Sequence, residues 1–202
     1  MTELLDKRSI NKVVSLLQAE EIVSFPTDTV FGIGVIYNSG KAVNKMKEAK
    51  GRDASKPFPL MVASVEQMEE VAFLTDRERK IAERFMPGAL TLVLNKKDTV
   101  KDEYVNGLNT VAIRIPDDRF VLRVLRKAGP LFVTSANLSG QPAANTHQEV
   151  LRQLDGRIAA VVKGEARSHV ASTIIDCTGS ELKCLREGTL SYRDISEVVY
   201  EG

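Results

Sequence analysis

The chain has 202 residues, 43% of them hydrophobic and 27% charged, and its 28 basic and 27 acidic side chains leave a net charge of +1. That composition is too apolar for a disordered chain, and the length allows a sizeable core. The near-zero charge disfavours a strongly basic nucleic-acid binder, though not a local basic patch. No apolar run approaches the roughly 20 residues that span a bilayer, and the opening MTELLDKRS has no apolar signal core, so the expected location is cytoplasmic.

After Asp6, the positions of Ile10, Val13, Val14, Leu16 and Leu17 predict a helix. A strand follows at 22–25, stopped by Pro26, and a second at 31–37. Asn38, Ser39 and Gly40 turn the chain into a helix with Ala42, Val43, Met46 and Ala49 on one stripe. A strand is expected at 59–63. Ser64 with Gln67, and Thr75 with Glu78, then have capping-box spacing ahead of two more helices. Strands at 90–94 and 111–115 precede a helix that starts near Asp117 and stops at Gly129–Pro130. A buried strand at 131–133 and a helix opened by Thr146 with Glu149 come next. Short strands near 159–162, 173–176 and 182–185 and a helix started by Ser191 complete the chain. Interspersed strands and helices, with no repeat or low-complexity linker, predict an α/β or α+β protein with one main sheet. Strands that follow one another without a helix, such as 90–94 and 111–115, make that sheet mixed in direction.

Several chemistries are excluded. Cys177 and Cys184 are not a CxxC pair and read as two small residues in a reduced compartment. The two histidines, His147 and His169, are too few for a His-rich metal site. Gly34 to Lys41 has five residues between its glycines where a Walker A loop has four, and Ala42 stands where that loop needs Ser or Thr. There is no G-x-S-x-G elbow. Any chemistry therefore runs on positioning and electrostatics.

Three clusters are candidates for it. Segment 41–56 carries six basic residues against two acidic ones, a local charge of +4. Either this is a solvated helix face, or Lys50, Arg52 and Lys56 lie past the helix, around Gly51, and clamp phosphate oxygens. The stretch 133–140, VTSANLSG, runs from a strand into a turn; Ser135 and Asn137 alternate, and so share a face if the backbone stays extended. A turn making local backbone bonds explains them as well. The stretch 26–32, PTDTVFG, offers two hydroxyls and a carboxylate, suited either to an amino acid or sugar or to a strand-connecting turn.

Taken together, the chain resembles the YrdC/Sua5 family of threonylcarbamoyl-AMP synthases. The resemblance rests on FPTDTVFGIG at 25–34, KGRDASKPFPL at 50–60, PGALTLVL at 87–94, TVAIRIP at 110–116, VTSANLSGQPA at 133–143, STIIDC at 172–177 and LREG at 185–188, which come in the family's order. Phe31 stands where many members have Tyr, and Met61 falls about where the longer members carry a His near the threonine. The chain looks like the short form, one catalytic domain over 1–202.

The resemblance implies a YrdC-like α/β domain, a twisted mixed sheet flanked by helices around a central concave basic cavity. It implies synthesis of threonylcarbamoyl-AMP and pyrophosphate from L-threonine, bicarbonate or CO2, and ATP, a nucleotidyl transfer serving t6A modification of tRNA. Lys50, Arg52, Ser135 and Asn137 would then surround the bicarbonate and phosphates. Arg52, Lys56, Thr110, Asn137 and Arg186 would contact ATP. Thr29, Arg114, Thr134 and Ser172 would hold L-threonine, Arg114 pairing its carboxylate; taken without the resemblance, a structural ion pair explains Arg114. Mg2+ would arrive on the ATP phosphates, with no dedicated metal cage. The loop 164–172, which carries His169, is placed to close over such a site. The expected partner is the downstream tRNA threonylcarbamoyl-transfer machinery. The competing reading is a tRNA- or double-stranded-RNA-binding ribosome-maturation module that grips phosphodiesters with segment 41–56. Near-neutral charge and a low aromatic content, seven Phe and four Tyr, weigh against it.

Overall fold

The computed structural model describes residues 1–51 and 57–200. Its strands are β1 (Glu3–Leu5), β2 (Val23–Phe25), β3 (Gly32–Ile36), β4 (Leu60–Met61), β5 (Leu90–Asn95), β6 (Thr110–Arg114), β7 (Leu131–Ser135), β8 (Ala160–Val162), β9 (Thr173–Asp176) and β10 (Lys183–Arg186). Its helices are α1 (Ile10–Gln18), α2 (Gly40–Lys50), α3 (Val65–Val71), α4 (Asp76–Phe85), α5 (Arg119–Ala128), α6 (His147–Leu154) and α7 (Tyr192–Tyr200). All ten strands form one sheet in the order β1-β8-β2-β3-β7-β4-β6-β5-β9-β10. Parallel and antiparallel pairs alternate irregularly along it, so the expected mixed α/β sheet is what forms.

The local signals act as the sequence suggests. Ser64 accepts a hydrogen bond from the Gln67 N–H, Thr146 from that of Glu149, and Asp118 from that of Val121 at the start of α5. Gly51 ends α2 in the left-handed region, φ 56°, where a side chain is strained. Two expectations need correcting. The strand expected at 59–63 is reduced to Leu60–Met61, a short insert between β7 and β6. The amino-terminal Glu3–Leu5, too short to show a period, is a strand because it adds parallel to β8.

Side-chain alternation divides the sheet into two unlike faces. On one, Ile33, Val35, Leu60, Phe132, Ile113, Leu92 and Ile175 are fully buried. They join a continuous core with residues of α2, α3, α4, α6 and α7. On the other, Val23, Phe25, Leu131, Val133 and Met61 pack under α1 and α5. That cover stops near β4. Beyond it, Thr110, Ala112, Val93 and Ile174 point to the same side and are only half-buried, and no helix among the described residues lies over them. Half of one sheet face is therefore bare.

The far edge of this bare region is braced from α4. Arg77 donates to the carbonyls of Ser180, Cys177 and Gly179 at 2.7–2.9 Å, holding the β9–β10 turn, and to Glu78 Oε1 at 2.6 Å. Glu78 is buried and accepts the N–H of Thr75 at 2.8 Å and that residue's hydroxyl. Burial pushes its carboxyl up, but the hydrogen bonds from Thr75 and Arg77 outweigh this and hold it below the ordinary value. A lowered folded-state pKa means stability that is present above the unfolded pKa and lost as the pH falls through the folded one. Glu78→Gln is expected to lower the unfolding free energy in urea by about 1–3 kcal/mol near neutral pH. Its gap to the parent closes as the pH drops below about 4. A gap independent of pH would show that the charge of Glu78 contributes nothing.

Candidate active site

The bare half-face is the floor of a cavity of about 450 Å³. Its walls come from the turn after β2, the end of β7, the start of β9 and the end of β10, and they include Thr29, Thr134, Ser135, Arg114, Ser172 and Arg186. The chain can approach so closely because of two glycines. A methyl on Gly32 would sit 2.8 Å from Val133 Cγ1, and one on Gly188 would sit 2.2 Å from the Ala171 carbonyl oxygen.

Arg114 is the anchor. It is 5% exposed, at the end of β6. Its Nε donates to the Gly88 carbonyl at 2.9 Å and its Nη1 to Thr29 Oγ1 at 2.8 Å. Its Nη2 lies 2.6 Å from Oδ2 of Asp28, which is 7% exposed. Burial pulls the guanidinium's pKa down and the Asp28 carboxylate opposes that pull. Opposite, Ser172 Oγ and Thr91 Oγ1 share a hydrogen bond of 2.8 Å, and Arg186 Nε donates to the Ser172 carbonyl at 2.9 Å. Burial also lowers Arg186. Both arginines stay cationic at neutral pH.

The loop 164–172 runs across the turn that carries Thr29. The N–H of Arg167 donates to the Thr27 carbonyl at 3.2 Å and that of His169 to the Thr29 carbonyl at 2.9 Å. Arg167 also reaches Asp117 Oδ2 and the Asp117 carbonyl, each at 3.0 Å.

The remaining candidates are placed differently. Lys50 was expected on a loop past the helix, but it is the last residue of α2 and 3% exposed. Gly51 stops the helix one residue later, and the ammonium turns inward to donate to the carbonyls of Ser135 at 2.6 Å and Asn137 at 2.9 Å. Ser135 and Asn137 do not share a strand face, because β7 ends at Ser135 and the chain bends. Asn137 Nδ2 donates to the Leu138 and Gln141 carbonyls at 2.8 and 2.9 Å, while its buried Oδ1 has no hydrogen-bond partner among the described residues. Thr110 starts β6 on the same face as Ala112 and Arg114 but outside the cavity wall. Arg52 and Lys56 lie outside the described residues. Of the three expected cations among the described residues, Lys50, Arg114 and Arg186, two line the cavity: Arg186, and Arg114 with its charge offset by Asp28.

Thr91 and Gly88 belong to the site without having been singled out for it, and Met61, noted where longer members carry a His, lines the cavity. Thr91 interrupts the leucines of β5 at the alternate positions, which is a legible signal, whereas a backbone carbonyl such as that of Gly88 leaves none. Phe31 is fully buried, so its ring serves the core as well as the cavity wall. Both cysteines are free thiols; Cys177 is buried, which pushes its thiol up to about 12.

Comparison with known proteins bears on what such a cavity does. The family model described as Sua5_yciO_yrdC, telomere recombination, matches residues 15–188. Threonylcarbamoyl-AMP synthase of Bacillus subtilis is 38% identical over 194 residues, covering 94% of this chain and 56% of the relative. The protein of the same name from Pyrococcus abyssi is 35% identical over 202 residues, covering 98% and 59%. The crystal structure of P. abyssi Sua5 complexed with L-threonine superposes with a TM-score of 0.92 at 34% identity, covering all of this chain and 61% of that one. The chain thus spans a little over half the length of these relatives.

The lysine's place suggests a direct check. Lys50→Met orphans the Asn137 carbonyl and removes one of two donors to that of Ser135, which also accepts the Asn137 N–H, so it is expected to cost about 1–3 kcal/mol in urea unfolding. Faster amide exchange in 135–140 accompanies that loss. Unchanged stability and exchange would show that the ammonium does not hold the turn.

Proposed function

The chain belongs to the Sua5/YciO/YrdC family, and from that premise we propose that it is an L-threonylcarbamoyladenylate synthase. The observation that carries the proposal is the convergence of Thr29, Arg114, Thr134 and Ser172, from four separate segments, on one cavity. These are the residues the resemblance assigns to L-threonine. A buried arginine with hydroxyls around it suits a small carboxylate with a polar side chain.

The reaction balances without a protein nucleophile. The amine of L-threonine attacks CO2, or bicarbonate with loss of water, and gives up a proton to form a carbamate. A carbamate oxygen then attacks the α-phosphorus of ATP, the bond to the β-phosphate oxygen breaks, and pyrophosphate leaves. Arg114 holds the amino-acid carboxylate, with Thr29, Thr134 and Ser172 around it. Ser135 and Asn137, on the turn held by Lys50, border the carbamate and phosphates. Arg186, Thr110 and, from the segment outside the described residues, Arg52 and Lys56 take the nucleotide. Holding three small reactants in one geometry, with cations placed where negative charge gathers, supplies the acceleration. Mg2+ would enter on the ATP phosphates and would neutralise charge there. The product would pass to the tRNA threonylcarbamoyl-transfer machinery of the cytoplasm. No helix among the described residues is long and apolar enough to cross a membrane. No observation favours the RNA-binding reading.

The test is a coupled assay of the purified chain with ATP, bicarbonate and each amino acid in turn, measuring pyrophosphate and the adenylate. L-threonine is expected to drive release of both in equal amounts, and Arg52→Ala to abolish it while the protein still melts cooperatively. Release without threonine dependence, or Arg52→Ala activity within a few-fold of the parent, would contradict the proposal.

A further inference from the structure

Asp28 does not line the cavity, yet it touches the residue that anchors it. Arg114 Nη2 and Asp28 Oδ2 are 2.6 Å apart. Beyond that contact, Nη2 of Arg114 and Oδ1 of Asp28 are both buried without a further hydrogen-bond partner among the described residues. An ion pair serving stability alone is best when every buried donor and acceptor is met, because unmet ones are costly. Here the charge is compensated while hydrogen-bonding capacity is left over.

The carboxylate is also aimed by bonds that Arg114 does not make. The turn carrying Asp28 is closed internally, with Thr27 Oγ1 donating to the Val30 carbonyl at 2.7 Å and accepting the Thr29 N–H at 3.0 Å. It is tied from outside by the N–H groups of Arg167 and His169 on the carbonyls of Thr27 and Thr29. Asp28 is therefore a fixed post, and the long arginine side chain is the part that adapts to it.

We infer that Asp28 is a positioning residue for amino-acid recognition. It offsets the charge of Arg114 and fixes the guanidinium plane at the cavity wall, where a carboxylate entering the cavity would be received. Because Asp28 is itself an anion beside that place, its effect on affinity is orientation working against repulsion, and orientation wins. The inference rests on the amino-acid reading of the cavity.

Pyrophosphate release is measured for the parent, Asp28→Asn, Asp28→Glu, Arg114→Gln and the double variant Asp28→Asn/Arg114→Gln. Asp28→Asn raises the KM for L-threonine at least about tenfold and leaves the KM for ATP within about twofold. Asp28→Glu, which keeps the charge, recovers part of the loss. In the Arg114→Gln background, Asp28→Asn adds nothing, since a residue that acts only through Arg114 has nothing left to position. An unchanged or lowered KM for L-threonine, an equal rise for ATP, or losses that multiply in the double variant would each overturn the inference. If Asp28→Asn does not melt cooperatively, Asp28→Glu decides: a KM raised for L-threonine alone supports the inference and an unchanged one overturns it. If the parent releases no pyrophosphate with threonine, the synthase reading fails, and calorimetry decides this inference separately. A preference for L-threonine over L-threoninamide that Asp28→Asn erases supports it, and a preference that survives, or no binding of either by the parent, overturns it.

Discussion

A guanidinium can be buried on a sheet only if a counter-charge is brought to it. In this fold the counter-charge comes from far away in the sheet. Arg114 ends β6, Asp28 follows β2, and β3, β7 and β4 lie between those strands. Leaving either charge alone in that interior would cost about 3–5 kcal/mol, so the pair obliges the β2–β3 turn to stand over the end of β6. The same turn supplies Thr29 to Nη1 of Arg114 and is held down by the loop 164–172. One electrostatic requirement thus assembles the cavity from four distant pieces of chain.

The second condition is that something be left uncovered. Five helices pack against one face of the sheet, while α1 and α5 cover the other only as far as β4. The strands beyond turn the leucines of β5 with Ile113 and Ile175 to the covered side and present Thr91, Thr110, Ala112, Arg114 and Ile174 on the bare one. Rigid strands give the floor its precision, and the turns at their ends give it polar groups, an arrangement suited to holding small reactants still. The internal position of Lys50 fits this division: its charge organises the turn after β7 from behind.

Much of this was legible in the residues. Capping signals at Ser64, Thr75 and Thr146 located helix starts, and period-two alternation located β5 and β6, because both are local effects. Thr29, Arg114, Thr134 and Ser172, which the family resemblance singles out, line one cavity, and the ion pair that offered a rival explanation of Arg114 exists beside its place in the wall. What was not legible depended on distant partners. Glu3–Leu5 is a strand only because β8 lies beside it. Lys50 read as a phosphate clamp on a loop because nothing near it in sequence reveals two carbonyls 85 and 87 residues away. Asn137 left the face of Ser135 because the strand ended sooner than its alternation suggested. Asp28 was visible as a carboxylate in a turn, but its partner was not.

The central claim is that Arg114, held by Asp28 over the bare half of the sheet, receives the carboxylate of an amino acid. A crystal structure of the chain with L-threonine tests it most directly. The account predicts the threonine carboxylate within hydrogen-bonding distance of the Arg114 guanidinium, between Thr29, Thr134 and Ser172. Threonine bound outside this cavity, or with its carboxylate turned away from Arg114, would contradict it.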